Sequence, residues 1–149
     1  MNPVIESLVE LFDRDLQKLE DEIKAYPDEA LLWKAVPGTT NPGGNLALHL
    51  SGNLQNYFGA VLGNTGYKRN RPLEFSAKDV PISEVVKEIK AARAAVKKVL
   101  LDTKIEDFTK IYPEEIFGKP MTYMFFFNHL YGHLNYHLGQ VNYHRRIVK

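Results

Sequence analysis

The feature that most constrains this chain is a C-terminal run in which four of its five histidines recur at helical spacing. His129, His133 and His137 lie four residues apart. A helix turns about 100° per residue, so the three side chains stand one turn above another. His144 and Gln140 fall in the same row, and Tyr123, Phe127, Leu130, Leu134, Leu138 and Val141 flank it. Residues 121–148 therefore predict a helix whose buried stripe is edged by imidazoles. Two readings of that row stay open. In one, the histidines are half-buried, hydrogen-bonded side chains. In the other, His133 and His137 are a chelating pair, because a His-x3-His spacing lets two imidazoles converge on one metal ion. Such a pair needs a third ligand from elsewhere.

Upstream, Asn2 and Pro3 read as the cap and first position of a helix continued by Ile5, Leu8, Leu11 or Phe12, Leu16, Leu19 and Ile23. Pro27 ends it near Tyr26. A short turn over 28–33 carries Trp33, a core candidate, and 36–44 is a Pro- and Gly-rich loop. A second long helix is predicted over about 45–62, with Leu46, Leu50, Leu54, Tyr57 and Val61 as its apolar stripe. Asn45, Asn53 and Asn56 fall near His49 on its wheel, which repeats the layout of the last helix. Bundles build their sites between helices so arranged, and His49 is the candidate third ligand. In the loop 63–72, Lys68, Arg69 and Arg71 read first as solvated charge and second as a contact for an anionic substrate.

A third helix begins at 81–83 and ends near 102, its stripe made of Val85, Ile89, Ala92, Val96, Val99 and Leu100. Residues 104–120 read as irregular, with an extended piece over 108–112. Four long helices joined by loops predict an all-α four-helix bundle, one domain over 1–149.

Absent residue types narrow the chemistry. With no cysteine there is no disulfide, no thiolate ligand and no cysteine nucleophile. A net charge of +1 gives no reason to expect nucleic acid or a membrane as partner. No signal-like start and no long apolar run is visible, so a cytoplasmic location is expected.

The run Gly44-Asn45-Leu46-Ala47-Leu48-His49, followed by His133-x3-His137-Leu138-Gly139-Gln140 and Asn142-Tyr143-His144-Arg145-Arg146, resembles the DinB-like superfamily of metal-dependent enzymes. The likeness covers nearly the whole chain in helix order and spacing. It implies an up-down-down-up bundle with one divalent ion held by His49, His133 and His137. It also implies a chemistry related to thiol S-transferases and mycothiol-dependent isomerases.

Zinc and nickel both suit three imidazoles. No Asp or Glu falls in either histidine row, so a base for activating water is missing. Glu114 and Glu115 are candidates only if their loop folds over the site. A thiol is easier to ionise than water, so the expected activity is a thiol-dependent S-transferase acting on a small-molecule substrate. A metal-dependent hydrolase and a non-catalytic binding bundle are the alternatives. Asn53, Tyr57, His129 and Gln140 are expected in or behind the pocket, and no residue is assigned as catalytic. His144 with Arg145 and Arg146 reads as capping and charge at the helix C-terminus. Tyr136 and Tyr143, outside the main stripe, support a homodimer.

Overall fold

The computed structural model describes residues 2–149. Asn2 caps the first helix, α1 (Pro3–Lys24), its side chain accepting from the Val4 N–H at 2.8 Å. Pro3 sits where no helical N–H is required. Ile5, Leu8, Phe12, Leu16, Leu19 and Ile23 are all buried. Each such side chain withdrawn from water contributes about 1.5–3 kcal/mol, which commits the stripe to the core. One turn, α2 (Glu29–Leu32), is capped by Asp28 and leads Trp33 into the core, where its Nε1–H donates to Val80 O at 3.1 Å.

Helix α3 (Gly43–Leu54) begins two residues earlier than expected and runs into a π-helical turn, Gln55–Ala60. Here Val61 N–H donates to Asn56 O at 3.0 Å, five residues back. The wider turn retards the wheel, so the expected stripe fails beyond residue 55. Phe58 rather than Val61 becomes fully buried. Such π turns often sit beside functional sites, and this one follows His49 and Asn53.

The loop 63–72 also differs from expectation. It ends in a short helix, α4 (Arg71–Ser76), capped by Asn70, whose side chain accepts from Leu73 N–H, with Pro72 in the first turn. Helix α5 (Ile82–Asp102) runs as predicted. Of the piece expected to be extended, 108–112, the first two residues close a 3-10 turn, Ile105–Thr109, and the rest pairs with 121–123 around an antiparallel bridge from Ile111 to Thr122. The last helix, α6 (Tyr123–Ile147), starts after its Thr122 cap.

Cross-helix contacts fix the topology. Asp13 and Gln17 of α1 meet Arg93 of α5, and Glu20 senses Lys90, so those helices run oppositely. Asp15 meets Tyr131 while Glu22 meets Asn142 and Arg145, so α1 and α6 run in the same direction. Gln55 meets Glu88 and Gly59 faces Ala95, making α3 parallel to α5. His49 pairs with His133 and Phe58 with Phe127, making α3 antiparallel to α6. This is the up-down-down-up bundle, and no described helix is long and apolar enough to cross a membrane.

His144 has a different place from the one expected. It is buried, its Nδ1 accepts from Gly43 N–H at 3.2 Å and lies 2.6 Å from Tyr26 Oη, and its Nε2–H donates to Lys34 O at 2.8 Å. It joins the starts and ends of three helices instead of facing solvent at a helix end. Arg145 is likewise committed, to Glu22.

Candidate metal centre

The antiparallel contact of α3 with α6 brings His49 against His133 and His137, which lie one turn apart on α6. One nitrogen from each ring lies within 4.8 Å of the other two. His49 Nε2 and His133 Nε2 face each other at 3.1 Å. The ring planes are close to mutually perpendicular, at 76°, 86° and 87°, with centroids 4.6–5.2 Å apart. His49 is the third member that the helix wheels called for.

Two of the rings are held from behind. His49 Nδ1–H donates to Glu74 Oε1 at 3.0 Å, and His137 Nδ1–H donates to Gln140 Oε1 at 2.7 Å. A bond at Nδ1 fixes the tautomer that leaves the Nε2 lone pair free. Arg69 grips Glu74 in turn, with Nε to Oε2 and Nη2 to Oε1 both at 2.9 Å. Burial raises the Glu74 pKa, but the bonds from His49 and Arg69 prevail and hold it below its usual value. Gly52 leaves the room this requires: a Cβ there would lie 1.9 Å from Glu74 Oε2. His133 Nδ1 is buried without a partner.

Burial also disfavours the cationic form of the rings. His133 is pushed down to about 3 by desolvation and by the nearness of His137, His49 and His129. Desolvation lowers His137 too, against the opposing bond from Gln140. Neutral imidazoles with one nitrogen each within 4.8 Å of the others suit a borderline divalent cation. The three histidines can hold such an ion.

A cavity of about 170 Å³ opens beside the cluster, lined by His49, His133, Asn53, Tyr57 and His129 together with Arg69, Arg71, Ile116, Phe117, Phe126 and Leu130. Of the four residues expected in or behind the pocket, Asn53, Tyr57 and His129 are on its wall and Gln140 stands behind His137. His129 is exposed, with Phe117 edge-on at 4.7 Å. The loop before α6 does cover the site, but with Ile116 and Phe117. Glu114 and Glu115 are exposed and do not line the cavity.

No carboxylate lies in either histidine row, but one reaches His49 from outside them, Glu74. It escaped the wheels because it comes from α4, in a stretch between the loop 63–72 and the third helix to which no element was assigned. The Asn70-Arg71-Pro72 start of that helix was the available signal. Of the three basic residues there, Arg69 is paired and half-buried and Arg71 lines the cavity. Lys68 lines a separate apolar cleft between α3, α4 and α5.

A family model described as the DinB superfamily matches residues 11–141. No curated protein matches the chain.

Proposed function

The chain belongs to the DinB superfamily, and from that premise we propose that His49, His133 and His137 hold one divalent ion, zinc or nickel, in a small-thiol-dependent S-transferase. The observation carrying this is the convergence of three imidazoles, two of which, His49 and His137, have backing bonds to Glu74 and Gln140 that free their Nε2 atoms. When bound, such an ion lowers the pKa of a coordinated thiol, which starts near 8.5, and polarises an electrophile.

The protein's own groups do the rest. Glu74 and Gln140 keep two rings from rotating. Ile116, Phe117 and Phe126 exclude water from the cavity. Asn53 and Tyr57 orient the bound molecule, and Glu74, tied to Arg69 and His49, is not free to take protons. These residues act within one domain over 1–149, supported by a single buried apolar cluster spanning its helices. We place it in the cytoplasm as a homodimer, for which Tyr136 and Tyr143, 67% and 65% exposed on α6, offer contact surface.

A metal-dependent hydrolase is the second reading, favoured by His129, an exposed imidazole on the cavity wall that can take a proton from water. The test is to incubate metal-loaded protein with a panel of small thiols and electrophiles, alongside esters and amides. Thiol consumption that requires both the ion and the electrophile is the expected result. Ester or amide cleavage indifferent to thiol would give the site to hydrolysis, and inertness in both arms would leave a binding protein.

A further inference from the structure

We infer that the cavity beside the three imidazoles seats a small aromatic monocarboxylate, its ring against the aromatic wall and its carboxylate at Arg71. Size is the first argument. A cavity of about 170 Å³ is close to the roughly 150 Å³ that holds a benzene ring, so it admits one ring with small substituents. The wall matches that shape. Tyr57, Phe117, Phe126 and His129 present aromatic surface, with Phe126 and His129 stacked at a 10° interplanar angle.

Charge supplies the second argument. Both formally charged residues lining the cavity are arginines, and no carboxylate lines it. Arg69 is neutralised by its two bonds to Glu74. Arg71 forms no ion pair among the described residues and lies over the Phe75 ring at 5.2 Å, which leaves one positive charge for a ligand.

The third argument is an unmet bond. Asn53 is only 7% exposed, and its Oδ1 is buried with no partner. A buried acceptor left unsatisfied costs about 1–3 kcal/mol, so a hydroxyl on the bound ring is favoured there. A hydroxylated aromatic acid meets all three conditions. This inference rests on the proposed function only for its meaning: the cavity would hold the molecule on which the metal-site chemistry acts.

The experiment titrates the full chain with 4-hydroxybenzoate, benzoate and the neutral 4-hydroxybenzyl alcohol by calorimetry and NMR, both as purified and after chelation. Arg71→Gln and Asn53→Leu are compared, with far-UV circular dichroism to verify the fold. The acid should bind one to one, about tenfold or more tighter than the alcohol, as a charged hydrogen bond implies. Arg71→Gln should erase that preference, and Asn53→Leu should weaken 4-hydroxybenzoate more than benzoate. Equal affinity for acid and alcohol, a preference surviving Arg71→Gln, or no binding of any probe overturns the inference. Arg71-dependent binding to chelated protein in a chain that takes up no metal would leave the cavity standing and remove the metal reading. Metal uptake without acid binding would do the reverse.

Discussion

Replacing Gly52 by alanine tests whether Glu74 is held as tightly as its contacts imply. The new Cβ would lie 1.9 Å from Glu74 Oε2 and 2.7 Å from its Cδ, so the carboxylate must move. Moving it breaks up to three hydrogen bonds, one from His49 and two from Arg69. Bonds to charged groups are worth about 1.5–3 kcal/mol each, though losses within one network do not add. Against this, Gly→Ala inside a helix gains about 1 kcal/mol of propensity. The net expectation is a destabilisation of about 2–4 kcal/mol by urea denaturation, with metal affinity lowered roughly tenfold or more because His49 loses its orienting partner. The decisive assay is the double-mutant cycle with Glu74→Ala. Once the carboxylate is gone, Gly52→Ala meets no clash and should be neutral or stabilising by up to about 1 kcal/mol. An equal cost in both backgrounds, or no cost in the wild type, would refute the reasoning.

Asp13 and Glu22 should make the fold acid-sensitive. The Asp13 pKa is lowered by its bond from Arg93, and that of Glu22 is lowered because bonds from Arg145 and Asn142 outweigh burial. A depressed folded-state pKa contributes stability that is complete above the unfolded value, about 4, and is lost as pH falls through the folded value. Melting temperature of the metal-free protein should fall from about pH 6.5 downward, because the depressed His133 and His137 take up protons more readily when unfolded. It should fall more steeply below about pH 5 as the carboxylates join, and a flat profile down to pH 3 would contradict this. His144→Ala should destabilise the fold by roughly 2–4 kcal/mol through its lost buried bonds while leaving metal affinity unchanged. Lost metal binding at unchanged stability would place His144 in the site instead. Tyr136→Ser with Tyr143→Ser should shift sedimentation toward monomer, and a wild-type protein already monomeric at high micromolar concentration removes the dimer.

The long helices were legible in the sequence because their stripes are long, regular and capped, as with Asn2 and Pro3 ahead of Ile5 to Ile23. The pairing of His49 with His133 and His137 was legible for the same reason: two rows at matched offsets on facing helices. What escaped came from breaks in regularity. A wheel at constant pitch cannot see the π turn that puts Phe58 in the core. Nor can it see Glu74, whose six-residue helix is too short for a periodic signal and whose partner His49 is 25 residues away. His144 sits in the histidine row yet is absorbed by Tyr26, Gly43 and Lys34, groups that only the folded chain assembles. Position on a helix face shows which residues can meet. It does not show what arrives from the loops.

The central claim is tested most directly by metal analysis of the untagged protein beside His49→Ala, His133→Ala, His137→Ala and His129→Ala, each verified as folded. One divalent ion per chain is predicted for the wild type and for His129→Ala. Each of the other three variants should bind it about tenfold or more weakly, at least the effect of removing a group behind a ligand. Unchanged metal content in all three would contradict the claim.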